Sequence, residues 1–257
     1  MKQITSKNNV IIKHIKSLQQ KKYRKETGTF LIEGYRLVSD ALKNGIVPDL
    51  LVVWEDRLER FRDIISICED KCEVLSVPKQ IIDTLSMTEA PEGIFATVKI
   101  PEHYGDDLTD RLVIVLDGVQ DPGNLGTIIR TANSVGIKNI YMLGNNVDVY
   151  NPKVVRSAMG AIFFVAIHYF DDADELFAHL RSKGYSICVT TLSDNDYYAL
   201  KMPDRIALVM GNEGNGVSSK SISNADFLLT LPMDQKAESL NVAVCTGILI
   251  YDILYRR

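Results

Sequence analysis

Apolar residues recur along this chain at two alternating spacings. Short runs rich in β-branched residues fall at 29–34, 50–54, 72–78 and 93–100. They read as strands. Between them, at 6–20, 34–45, 57–70 and 79–87, apolar residues recur three and four apart, as on one face of a helix. In the first of these the apolar positions are Val10, Ile11, His14 or Ile15, and Leu18. Residues 1–100 thus form a small alternating α/β unit. The stretch 101–111 is charged, holds Pro101 and Gly105, and lacks apolar periodicity, which marks a linker.

From 112 the alternation restarts as a second α/β domain, 112–257. A strand at 112–116 leads into a turn-rich loop and then a helix with apolar positions Leu125, Ile128, Ile129, Ala132 and Val135, closed by Gly136. Thr127, Arg130 and Ser134 share its polar face. A strand follows at 139–143. Asn151 and Pro152 suit the cap and first turn of a helix running to Gly160. Strands at 163–170, 185–192, 205–211 and 227–233, with a helix at 173–184, complete the pattern.

The last helix, 239–257, carries apolar residues on nearly all sides: Leu240, Val242, Ala243, Val244, Ile248, Leu249, Ile250, Ile253 and Leu254. It needs cover on most of its surface. A second subunit supplies that cover, with Ile250 and Ile253 as partner-facing positions; a core helix in a monomer fits the same pattern. The run is broken by Asp252 and is too short to span a bilayer.

Composition is that of an ordinary globular protein, 46% hydrophobic and 24% charged, with a net charge of −4. The distribution of charge changes the picture. Residues 1–36 hold nine Lys and Arg against two Glu, a net of +7, so the remainder carries −11. A basic arm on an acidic body suits an anionic polymer, with Lys7, Lys13, Lys21, Lys22, Arg24, Lys25 and Arg36 as phosphate contacts. A solvated amphipathic helix fits the same residues. Cys68, Cys72, Cys188 and Cys245 form no CxxC pair and the four His are scattered, so neither zinc nor a disulfide framework is expected. The polar, Lys-rich start is unlike a signal peptide, and a cytoplasmic protein with reduced thiols is the expectation.

Three strand-end loops share one character: DGVQDPGNLG (117–126), MGNEGNGVS (210–218) and LPMDQKAESLN (231–241). In a parallel sheet such loops gather at one edge. Together they offer Asn124, Arg130, Asn212, Glu213, Ser239 and Asn241, with backbone from Gly211, Leu231 and Leu240. They contain no nucleophile–base pair, no metal cluster, no GxGxxG and no phosphate-loop Lys, which counts against a nicotinamide enzyme. Amides, one Arg and one Glu suit holding a polar substrate beside a cofactor that already carries a good leaving group. Taken singly, Asn124 and Ser239 also fit helix caps and Glu213 a loop charge.

In this order and spacing, DPGNLGTIIRTA, LVMGNEGNGVS and LPMDQKAESLNVAV resemble the three motifs of the SpoU (TrmH-type) family of SPOUT RNA methyltransferases, and NPKVVRSAMGAIF (151–163) resembles a further family segment. FLIEGYRLVSDAL and TEAPEGIFATV resemble the ribosomal-protein-type substrate-binding domain that often precedes the catalytic one. The resemblance implies S-adenosylmethionine-dependent methylation of a ribose 2′-hydroxyl in structured RNA, with 23S ribosomal RNA favoured over transfer RNA. It implies a catalytic domain with a C-terminal trefoil knot, working as a homodimer. It places Asn124, Arg130, Glu213, Ser239 and Asn241 in the active site and Gly144, Gly211, Asn212, Leu231, Met233 and Leu240 against the cofactor. Relatives' mechanisms often cast the Arg as base. A guanidinium stays protonated, so Arg130 is expected to hold a phosphate and stabilise the growing alkoxide. Glu213 either fixes that Arg or accepts the proton. Gln235 stands where many relatives have Gly. A non-catalytic RNA-binding protein on the same scaffold is the competing reading.

Overall fold

The computed structural model describes residues 1–101, 110–192, 197–234, 236 and 238–255. Most of the expected linker and Gln235 lie outside them. The chain divides into two compact units, Met1–Glu102 with Tyr150–Phe163, and His103–Val149 with Phe164–Arg257.

The first unit opens with β1 (Lys2–Gln3), α1 (Val10–Ser17), α2 (Lys21–Thr27), β2 (Thr29–Glu33) and α3 (Tyr35–Lys43). It continues with β3 (Leu50–Trp54), α4 (Arg62–Cys68), β4 (Glu73–Val77), α5 (Lys79–Leu85) and β5 (Ile94–Lys99). Its sheet runs in the order β1-β4-β3-β5-β2, with β1, β4 and β3 parallel and β5 antiparallel to both its neighbours. The apolar stripe of α1 is displaced from the expected one. Ile12, Ile15 and Leu18 enter the core with Ile81, Ile82 and Leu85 of α5, while Val10 is exposed. Asn9 rather than an earlier residue caps the helix, its side chain accepting from Ile11 N at 2.8 Å. The chain then breaks at Leu18 and begins α2.

The second unit starts with β6 (Leu112–Asp117), α6 (Pro122–Ser134) and β7 (Asn139–Leu143). The next stretch, Tyr150–Phe163, packs with the first unit and carries α7 (Pro152–Ala158), capped by Asn151 as its Asn-Pro start requires. The rings of Tyr150 and Phe163, at the two ends of this excursion, lie 4.8 and 6.4 Å from that of Phe30. Then follow β8 (Ala166–Phe170), α8 (Ala173–Ser182), β9 (Ser186–Thr190), β10 (Ile206–Gly211), α9 (Ser219–Ser223), β11 (Phe227–Leu229) and α10 (Val242–Tyr255).

Six strands, all parallel, make one sheet in the order β11-β9-β10-β6-β7-β8. β10 is buried at every residue and β6 at all but its last, which explains why both read as unbroken apolar runs. Alternate residues divide between the two faces: Val113, Val115, Ala207 and Val209 meet Leu176, Phe177 and Leu180 of α8. Each Val, Leu or Phe among them, fully buried, contributes roughly 1.5–3 kcal/mol.

α10 is partly buried in its own unit. Val242, Ala243, Thr246, Leu249, Ile250 and Ile253 are buried, which corrects the assignment of Ile250 and Ile253 as partner-facing. The exposed apolar face is instead Val244, Ile248, Tyr251 and Tyr255, at 53%, 42%, 51% and 61% exposure. Their spacing of four, three and four residues lines them along one side of the helix. No helix among the described residues is long and apolar enough to cross a membrane.

Candidate active site

From β6 the chain runs outward through β7 to β8, then crosses to build the other half of the sheet, β9, β10 and β11. The reversal puts a crevice beside the C-terminal ends of β6 and β10, where open α/β sheets bind ligands. Asp117 and Gly211 end these two strands in register.

The loop after β10 folds back at once. Asn212 and Gly216 exchange backbone hydrogen bonds, both 2.9 Å, and the Asn212 Oδ1 accepts from Gly214 N and Asn215 N. A Cβ on Gly211 would lie 2.4 Å from the Gly216 carbonyl carbon, so only glycine fits there. Asp117 holds the far end of the loop through Ser218 N at 2.9 Å and Ser221 Oγ at 2.8 Å.

This loop, the loop after β6 and the segment before α10 are joined by one chain of hydrogen bonds. The Glu213 carboxylate accepts from Gln120 N at 3.1 Å, Asp121 N at 3.0 Å and Asn124 Nδ2 at 3.0 Å. The Asn124 Oδ1 in turn accepts from Asn241 Nδ2 at 2.8 Å. Asn212 Nδ2 adds a tie to Gly118 O at 2.8 Å. Burial raises the Glu213 pKa, but the hydrogen bonds from Asn124, Asp121 and Gln120 outweigh it and hold the carboxyl below its ordinary value. A carboxylate so engaged ties the loop after β10 to the loop after β6. It fixes Asn124, not Arg130.

Asn124 does not cap α6. Asp121 does, its Oδ1 accepting from Asn124 N at 2.8 Å, which frees the Asn124 amide for the other two loops. Asn241, not Ser239, caps α10, its Oδ1 accepting from Ala243 N and Val244 N at 2.9 and 3.2 Å. A buried residue outside the expected set, Asn146, fastens the loop after β6 from behind. Its Oδ1 accepts from Val119 N at 2.7 Å, and its Nδ2 donates to Leu116 O and Leu143 O.

Behind the joined loops lies a cavity of about 650 Å³. Gly211, Asn212, Leu231, Met233 and Leu240, the residues expected against the cofactor, line it. Glu213, Ser239 and Asn241 border it too. Gly144 does not line it: it follows β7 and its N–H is bound to Phe170 O at 2.8 Å. Arg130 is exposed on α6 and has no hydrogen-bond or ion-pair partner among the described residues. Sequence reasoning missed Thr190, Glu238 and Cys245, which also line the cavity. Cys245 was recoverable, since it follows Asn241 by one helical turn; burial pushes its thiol up to about 11. No cluster of His, Cys, Asp or Glu among the described residues could hold a metal ion.

In the first unit Lys7, Lys13, Lys21, Lys22, Lys25 and Arg36 are exposed. Arg24 is not. It is 3% exposed and donates through Nη1 to Leu18 O at 2.6 Å, closing the end of α1, so it leaves the set of phosphate contacts.

A profile of the SpoU rRNA Methylase family matches residues 111–251, and one of the MRM3-like substrate binding domain matches residues 9–96. The chain belongs to the SpoU rRNA methylase family. Among SpoU relatives, the 23S rRNA (guanosine(2553)-2'-O)-methyltransferase RlmP of Bacillus subtilis is 36% identical, with 98% of this chain and 99% of that protein covered. A solved, AdoMet-bound rRNA methyltransferase from Sinorhizobium meliloti has a TM-score of 0.84 at 31% identity, covering 98% of this chain and 96% of its own. The SpoU methyltransferase AviRb from Streptomyces viridochromogenes, solved in complex with AdoMet, has a TM-score of 0.87 at 26% identity, covering 97% and 98%. The fold is therefore α/β of the SPOUT type, with an N-terminal and a catalytic domain.

Proposed function

We propose that this protein is an RNA ribose 2′-O-methyltransferase that uses S-adenosylmethionine and acts on large-subunit ribosomal RNA. The observation that carries the reading is the joining of three SpoU motifs by Glu213, Asn124 and Asn241 at the mouth of one cavity. That cavity fits the cofactor. Its volume is within the range of small-molecule sites, backbone at Gly211, Leu231 and Leu240 can meet polar groups, and Met210, Val242 and Leu249 offer apolar contact. When bound, S-adenosylmethionine supplies a methyl group on a sulfonium, a good leaving group.

The protein's own task is then alignment and charge. Asn124 and Asn241 hold the loops in one arrangement, so the ribose oxygen is met by a preformed edge. Arg130 grips an RNA phosphate and stabilises the negative charge that grows on the 2′ oxygen. The proton passes to water or an RNA phosphate, since the Glu213 oxygens already receive three donors. Ser239, which lines the cavity, hydrogen-bonds the ribose. Exposed Lys7, Lys13, Lys21, Lys22, Lys25 and Arg36 supply phosphate contacts from the N-terminal unit.

The catalytic domain works as a homodimer, the exposed stripe Val244, Ile248, Tyr251 and Tyr255 meeting its copy across a two-fold axis. Family kinship supports a trefoil knot in the C-terminal segment. A cytoplasmic location follows from the ribosomal substrate. The test is transfer of labelled methyl from S-adenosylmethionine to purified ribosomal RNA. Label that survives at an alkali-resistant linkage is expected; RNA left unlabelled by active, folded protein would contradict the reading.

A further inference from the structure

The cavity carries a charge imbalance that alignment of the ribose does not use. Its charged lining residues, among those described, are Glu213 and Glu238, with no Lys or Arg. Glu213 is engaged by Gln120, Asp121 and Asn124 and faces the loop after β6. Glu238, exposed on the segment leading into α10, has no hydrogen-bond or ion-pair partner among the described residues.

We propose that Glu238 is the counter-charge for the sulfonium of S-adenosylmethionine, and that it makes the cavity prefer this cation to the neutral thioether left after transfer, S-adenosylhomocysteine. The inference rests on the cofactor reading above. The two compounds share adenosine, ammonium and carboxylate groups; they differ by one methyl and one positive charge on sulfur. Backbone groups of Gly211, Leu231 and Leu240 address what the two have in common and cannot separate them. The side-chain amides of Asn212 and Asn241 are neutral and already spent on Gly118 and Asn124. A carboxylate at the cavity wall separates them by charge alone, because Coulomb attraction acts on the sulfonium and has no counterpart in the thioether. Its exposure lets water screen the pair, which keeps the preference moderate. The benefit is turnover: product formed in the same cavity loses the interaction that held its precursor, so fresh cofactor displaces it.

Calorimetric titration of the full-length protein with each compound tests this without RNA or catalysis. In Glu238→Gln, affinity for S-adenosylmethionine should fall about tenfold while that for S-adenosylhomocysteine changes by less than about threefold. Glu238→Asp keeps the charge and should retain most of the wild-type preference, which separates charge from packing. Equal weakening of both compounds in Glu238→Gln, or an unchanged affinity for S-adenosylmethionine, would overturn the proposal. A wild-type protein that binds neither compound would overturn the cofactor reading, and this inference with it.

Discussion

Arg130 and Glu213, both charged and both in SpoU motifs, meet opposite environments, and the parts proposed for them in the reaction follow from that. Arg130 is exposed with no described partner, a cation held ready for something outside the chain. Arg130→Ala should therefore lower methyl transfer by at least about a hundredfold, the scale of losing one charge-stabilising donor, while cofactor affinity stays near wild type. Turnover and calorimetry on the same preparation check both halves. Glu213 is held below its ordinary pKa by three donors. A carboxyl depressed in the native state adds stability that is complete above its unfolded value, about 4.3, and is lost as pH falls through the native one. Denaturation of wild type and Glu213→Gln should thus differ by a constant amount from neutral pH down to about 5, and converge in stronger acid. A gap that widened on acidification would contradict the sign. The sequence displayed all these residues but not their connections. Nothing in the spacing tells whether the Asn124 amide caps a helix or spans two loops; Asp121, three residues earlier, decides it by taking the cap.

At the scale of elements, the all-round apolar character of α10 was legible, but not its division. Helical periodicity says which residues share a side; it does not say which side the sheet takes. Ile250 and Ile253 are buried, leaving Val244, Ile248, Tyr251 and Tyr255 exposed. Substituting Ile248→Glu or Tyr251→Glu should leave the fold intact and yield monomers by light scattering, where wild type gives twice the chain mass. Ile250→Glu, by contrast, buries an unpaired charge and should give insoluble chain. A wild-type monomer at micromolar concentration would reject the dimer. The strands were the most legible elements, because β6, β7 and β10 are buried on both faces and read as pure apolar runs. Ends of helices were less so: the expected start at 239 moves to Val242 because Asn241 takes the cap.

For the whole molecule, sequence order and spatial order part company at Tyr150–Phe163. This stretch lies between two strands of the second unit yet packs on Phe30 of the first, a partnership that no local periodicity encodes. Removing residues 1–100 would strip that packing, so charge substitution is the cleaner probe of the basic arm. Changing Lys13, Lys21, Lys22 and Lys25 together to Ala should weaken RNA binding and reduce the slope of log affinity against log salt by about 3, if each meets one phosphate. An unchanged slope would place the RNA elsewhere. The central claim, that three loops joined through Glu213, Asn124 and Asn241 serve methyl transfer to ribosomal RNA, is tested most directly by mapping 2′-O-methyl groups in RNA from cells with and without this protein. One ribose of the large-subunit RNA should lose its methyl group when the protein is removed, and regain it with the wild-type chain but not with Arg130→Ala. An identical methylation map in both cells would contradict the account.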